Sequence, residues 1–237
     1  MLDFLTSYFN FIVYGFEILA AIAGLYFLNK TKNKSTRIFV FYLLYVVFVE
    51  FVAVCLIFFK STLLVSYLIS LGIKSTSWFN LFWLYGSILF VLFYYHSLLT
   101  NTKFKLVLKI MAILFSVVML SHFIVFPNVF LTEHPPLYQI SGLIITLICV
   151  ALYFIEFLND EKVLMIFQTF SFYATLGLFV WWLIITPVIF YDNYNTIADW
   201  DFANLKRRIF LFANIFMYTC FTVGFIITKP KSNNEII

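Results

Sequence analysis

The sequence predicts an all-α fold: a polytopic transmembrane bundle of about seven helices, forming one membrane-embedded domain over residues 1–237, with the N-terminus outside and the C-terminus inside. Three observations predict it. The chain is 64% hydrophobic and only 11% charged, with a mean hydropathy of +1.01, whereas a soluble domain carries roughly 45–50% apolar and about 25% charged residues. Apolar runs of about 20 residues, the length that crosses a bilayer core of roughly 30 Å at 1.5 Å per residue, recur along it. What remains between those runs suffices for short loops but not for a soluble domain.

Taken in order, the first run is 9–28, followed by a basic cluster that begins at Lys30. Ala21-Ile22-Ala23 resembles a signal-peptidase site, but no basic segment precedes the run, so it reads as a retained helix. The second run is 38–59 and stops at Lys60; the third is 78–99. Between them, Ser61 to Ile73 is apolar but bracketed by Lys60 and Lys74, and is too short to span, so an interfacial or re-entrant helix is expected there. The fourth run is 106–126 and the fifth 138–158. Only Asn159-Asp160-Glu161-Lys162 separates the fifth from an apolar stretch at Val163–Phe167, so the sixth run, 170–190, can start early and lie antiparallel to it. Pro187 is expected to kink or end that helix. The seventh run, 209–228, follows Lys206-Arg207-Arg208. None of the runs shows the two-residue alternation of a barrel strand, and unpaired amides are not tolerated in lipid, so each must be helical.

Orientation follows from Lys and Arg. With the N-terminus outside, Lys30, Lys32, Lys34, Arg37, Lys103, Lys105, Lys109, Lys162, Lys229 and Lys231 lie inside. Lys60, Lys74, Lys206, Arg207 and Arg208 lie outside, and the positive-inside rule favours that arrangement.

Charges inside hydrocarbon cost roughly 2.5–3.5 kcal/mol on insertion scales, so each calls for an explanation. Glu17 and Glu50 sit on consecutive helices at a similar depth, and no Lys or Arg lies at that depth. With no cation to pair them, at least one is expected to be uncharged. Two readings stay open: a proton or cation site, or protonated carboxyls that hydrogen-bond to Tyr or backbone and pin the packing. Glu156, near a helix end, reads as an interfacial anchor. The outer segment from Tyr191 to Arg208 carries Asp192, Asp199, Trp200, Asp201, Lys206, Arg207 and Arg208. It is either a ligand mouth of mixed charge or a solvated loop whose basic end sits at lipid headgroups. His122, Glu133 and His134 could meet at the outer surface, but their spacing matches no metal signature. Cys55, Cys149 and Cys220 are scattered within apolar runs, as small buried hydrophobes are. Gly15, Gly24, Gly86, Gly142 and Gly224 can let helices approach closely. Neither a metal nor a cofactor is expected, and nucleic acid is not an expected partner.

Catalytic motifs are missing: there is no H-E-x-x-H, no glycine-rich phosphate loop and no G-x-S-x-G, and the seventh run has no Lys for a retinal Schiff base. An enzyme is not expected. The runs Tyr14-Gly15-Phe16-Glu17-Ile18-Leu19-Ala20, Tyr42-Leu43-Leu44-Tyr45 with Glu50, and Asn214-Ile215-Phe216-Met217-Tyr218 resemble those of uncharacterised small seven-helix bacterial membrane proteins. Such proteins are similar in turn to the seven-transmembrane sensing modules of histidine kinases. That resemblance implies a bacterial cytoplasmic-membrane location and signal reception. The tail, Lys229 to Ile237, is expected to dock on a partner rather than to act alone. A stand-alone sensing or regulatory protein with a cytoplasmic or membrane partner is therefore the first expectation. A small proton- or cation-coupled transporter or channel using Glu17 and Glu50 is the second, and a membrane-perturbing defence or toxin effector the third.

Overall fold

A backbone in lipid must satisfy its own amides, and an isolated segment does so only as a helix. The computed structural model describes residues 8–59, 62–70, 75–159, 167–194 and 200–228, and every regular element among them is helical. The elements are α1 (Phe9–Leu28), α2 (Lys34–Phe58), α3 (Leu63–Ser70), α4 (Thr76–Leu98), α5 (Thr102–Val125), α6 (Pro127–Thr132), α7 (Pro136–Leu158), α8 (Phe170–Tyr194) and α9 (Trp200–Ile227). All but α3 and α6 are long and apolar enough to cross a membrane, which makes seven. The chain is a multi-pass integral membrane protein.

Where the helix ends differ from those expected, local hydrogen bonding explains it. α2 starts at Lys34 rather than 38 because the Asn33 side chain caps it, accepting from the Ser35 amide at 3.0 Å. Asn101 does the same for α5 through the Lys103 amide at 2.9 Å. Residues 191–208, expected to form an outer loop, are helical at both ends: α8 runs on to Tyr194 and α9 begins at Trp200. Hydropathy marks where lipid ends, while the helical ladder can continue beyond it. Pro187 does not end α8. In the Ser61–Ile73 stretch, α3 has eight residues, about 12 Å, too short to cross. The expected early start at Val163–Phe167 lies outside the described residues except for Phe167, which precedes α8.

Six spanning helices close into a ring, each packed on the next, in the order α1, α2, α4, α7, α8, α9 and back to α1. The remaining one, α5, lies outside that ring against α4 and α7, with Ile113, Leu114 and Val117 exposed. Close approach depends on small residues: a Cβ on Gly142 would run into the Trp182 ring, and one on Gly86 into the Tyr45 hydroxyl. Gly15 departs from the expectation. It is exposed, and none of the described residues comes within 4 Å of where a Cβ would stand.

Candidate functional site

Inside the ring, towards the end where α1 begins, lies a chamber of about 200 Å³. Six helices contribute to it, all the spanning ones except α5. Glu17 comes from α1 and Glu50 from α2; Phe79 and Trp83 come from α4, Gln139 from α7, Trp181 from α8, and Asn214 and Tyr218 from α9. Glu17 stands eight residues inside the start of α1, and Glu50 eight residues inside the end of α2. Each is thus about 12 Å from the same end of the bundle. The two carboxyls expected to share a depth also share a cavity.

The walls hold these groups in place. Glu17 is 2% exposed, and the Tyr218 hydroxyl donates to its Oε2 at 3.1 Å. Trp181 Nε1 donates to Asn214 Oδ1 at 2.9 Å, and Asn214 Nδ2 donates to the Phe210 carbonyl at 2.8 Å, which fixes the indole. The Trp181 ring lies 5.3 Å from that of Trp83, and Phe79 stacks on Trp83 at 4.9 Å. Trp83 and Glu50 line the same chamber, and among the described residues Trp83 Nε1 is buried without a hydrogen-bond partner. Trp78 Nε1 donates to the Val49 carbonyl at 3.0 Å and so ties α4 to α2 next to Glu50.

Part of α4, Phe79–Gly86, is wound as a π-helix. The i→i+5 ladder is uncommon and recurs at functional sites. Here it carries Phe79 and Trp83 on the chamber wall, and the Tyr45 hydroxyl donates to the Phe82 carbonyl at 2.6 Å. Gln139 is only 3% exposed, yet its Nε2 makes no hydrogen bond to any of the described residues. A buried amide donor without a partner is costly, by about 1–3 kcal/mol, so a chamber that keeps one is chemically poised for an acceptor. Among the described lining residues the ionisable charge is carboxyl only, with no Lys, Arg or His.

Sequence reasoning singled out Glu17 and Glu50, which line the chamber, but not Trp83 or Gln139, which line it too. Gln139 could have been noticed as a lone amide just inside an apolar run, but nothing in the sequence says that it points inward. Of the residues expected to form a ligand mouth, Lys206, Arg207 and Arg208 are not among the described residues that line the chamber. Asp199 lies outside the described residues. Trp200 and Asp201 open α9, and Lys206, Arg207 and Arg208 lie along its first turns, Arg207 exposed and the other two half-buried. His122, Glu133 and His134 do not meet as a cluster either. His122 Nδ1 bonds the Tyr138 hydroxyl at 2.6 Å, while His134 Nδ1 bonds Asn80 Oδ1 at 2.8 Å. Glu133 enters through its carbonyl, which accepts from Asn80 Nδ2 at 2.7 Å. Among the described residues no three His, Cys, Asp or Glu side chains gather as a metal site would require. Burial and the positive charge of Lys206 hold His134 below the ordinary imidazole value. Glu156 accepts from the Thr100 amide and hydroxyl and from the Asn101 amide, which secures the turn between α4 and α5.

Beneath the chamber the described residues leave little space. A void of only about 10 Å³ remains among Tyr42, Trp182, Tyr218, Phe221 and their neighbours, about the least space that holds one water. The chain matches no protein-family model, no curated protein and no solved structure.

Proposed function

We propose that this protein receives a small cationic ligand in the carboxyl-lined chamber and relays its occupancy to a partner at the opposite face of the membrane. One observation carries the reading: Glu17 and Glu50, on neighbouring helices, line a single cavity alongside a buried Gln139 amide that none of the described residues satisfies. Two carboxyls in hydrocarbon are a poor way to stabilise packing, because desolvation opposes the charged form and no cation offsets it. A bound ammonium offsets it directly. The rings of Trp83, Trp181 and Phe79 add faces that attract cations, by about 0.5–2 kcal/mol each when desolvated.

The narrow space beneath the chamber supports reception over passage. A signal-sensing role through a partner also accords with the resemblance of the chain's apolar motifs to seven-helix sensing proteins. The test is calorimetric titration of ethanolamine, a small amino alcohol, into the protein in lipid nanodiscs. Binding should weaken at least tenfold in Glu17→Gln and in Glu50→Gln. Equal binding by wild type and both variants would remove the proposal.

A second reading, proton- or cation-coupled transport, is favoured by one specific feature: two of the helices around the chamber carry a π segment (α4) and Pro187 (α8), both places where helices bend. Proton or cation flux into protein-containing liposomes, lost in either Gln variant, would put transport in place of reception.

A further inference from the structure

A second hollow adjoins the chamber. It is a groove of about 380 Å³ between α1 and α2, floored by Ile18, Val47, Phe51, Val54, Ile57 and Phe58. It shares Asn10, Tyr14, Glu17 and Glu50 with the chamber, so the two hollows meet at the carboxyls. Unlike the chamber, it faces outward: Phe51 is 65% exposed and Phe58 74%. On a spanning helix an exposed apolar face is a lipid face, and a groove cut into it is in contact with acyl chains. One helix pair of the ring therefore leaves a lateral opening that is apolar at its mouth and acidic at its inner end.

We infer that the chamber is filled sideways from the hydrocarbon, by an amphiphilic amino alcohol whose ammonium group reaches Glu17 and Glu50 while its alkyl chain lies in the groove between α1 and α2. This rests on the reading of the chamber as a ligand site. Each part of the ligand follows from what it meets. The carboxyls repel an acidic or phosphate head and pair with an ammonium. The Gln139 amide nitrogen needs an acceptor, which a hydroxyl oxygen supplies. The groove offers only apolar surface beyond Tyr14 and Asn10, which suits a chain and not a sugar or a peptide. Lipid tails are as apolar as the groove, so the groove contributes little binding energy of its own. It sets the route and the orientation, and the head provides the selectivity.

The outer face of α5 makes a built-in control. Ile110, Ile113, Leu114 and Val117 are exposed and apolar there too, but none of them is among the described residues that line the chamber or the groove. A surface that merely wets lipid would treat both faces alike.

The experiment uses 2-(dodecylamino)ethanol bearing a diazirine on its chain, photolysed with the full chain in nanodiscs, followed by peptide mapping. Adducts are expected on α1 and α2 at least tenfold above those on α5. Unlabelled 2-(dodecylamino)ethanol should compete at least tenfold better than N-(2-hydroxyethyl)dodecanamide, which has the same chain and hydroxyl but no charge. Adducts should fall at least tenfold in Glu17→Gln and in Glu50→Gln. Val54→Trp, which fills the groove one turn from Glu50, should cut labelling while leaving titration by soluble ethanolamine unchanged. Adducts spread evenly over α1, α2 and α5, or equal competition by the uncharged amide, would overturn the lateral route. If ethanolamine still bound in a carboxyl-dependent way, the chamber would remain a ligand site reached from water. If neither probe depended on Glu17 or Glu50, both readings would fall together.

Discussion

The two halves of the bundle are built from the same apolar vocabulary and end up opposite in kind. In the half away from the chamber, Phe39 is surrounded by the rings of Tyr42, Tyr94, Phe170 and Phe221, all edge-on at 4.9–5.4 Å. Phe170 stacks on Phe225 at 4.2 Å, and Gly24 lets that ring and Val40 approach to 3.2 Å of where a Cβ would be. In the other half, Tyr, Trp and Phe again line the ring, but they stand around a cavity that contains two carboxyls. Aromatics pack solid where a glycine lets the opposing helix close in. Around the chamber Glu17 and Glu50 take inward positions that rings occupy elsewhere.

The sharpest test of that contrast is Phe39→Ala. It removes a ring that is 1% exposed and has four aromatic neighbours, and should cost about 3–5 kcal/mol. The measurement is equilibrium unfolding in mixed micelles. Ethanolamine affinity per folded molecule should not change. A cost below 1 kcal/mol would mean that the aromatic layer is not the stabilising half.

Next in size is Asn80→Ala, on the chamber side but outside the chamber. Asn80 is fully buried, and its Nδ2 donates to the Phe130 and Glu133 carbonyls at 2.7 Å each while its Oδ1 meets His134. Truncation strands those groups, and about 2 kcal/mol of destabilisation is expected from unsatisfied buried partners. Hydrogen exchange of residues 126–136 should quicken more than that of α8. Uniform exchange across both would show that Asn80 does not organise this turn.

How much of this was legible depends on what lipid imposes. The positions of the seven helices could be read because hydrocarbon thickness dictates run length, and α1 has the bounds its apolar run predicts. The shared depth of Glu17 and Glu50 could be read because it needs only a residue count. Ring order could not, since any apolar helix face is acceptable to lipid and to protein alike. That order is what turns Gln139 inward and leaves Gly15 outward. The π segment was hidden as well: its wider turn re-aims Trp83, and Phe79–Gly86 reads as an ordinary apolar stretch. The closed helical ends at Tyr194 and Trp200 were missed because polar residues can continue a helix past the bilayer.

A smaller effect is expected from pH through His134. Burial and Lys206 hold its folded value below the ordinary 6.5, so the folded protein binds fewer protons than the unfolded chain between the two values. The contribution is full above about 6.5 and is lost as pH falls towards the depressed folded value. Melting temperature measured from pH 8 to 5 should therefore fall more steeply for wild type than for His134→Gln, and the difference between the two curves isolates this group. Parallel curves would show that His134 does not feel Lys206 or its burial.

The smallest stability effect should come from Glu17→Gln, and that is where the two halves separate most clearly. A glutamine oxygen can still accept from the Tyr218 hydroxyl, and the amide occupies nearly the same volume, so the hydrogen bond at 3.1 Å and the packing of α1 on α9 survive. Stability should stay within about 0.5 kcal/mol of wild type. A carboxyl kept only to hold the helices together would make that substitution neutral for binding too. A carboxyl kept to receive a cation would lose its ligand without loosening the fold, since the ammonium and not the packing is what the negative charge serves. Measuring unfolding and ethanolamine titration on the same preparation separates these. Affinity lost with stability unchanged assigns Glu17 to the ligand; stability lost with affinity unchanged returns it to the packing and leaves the chamber an accident of helix shape.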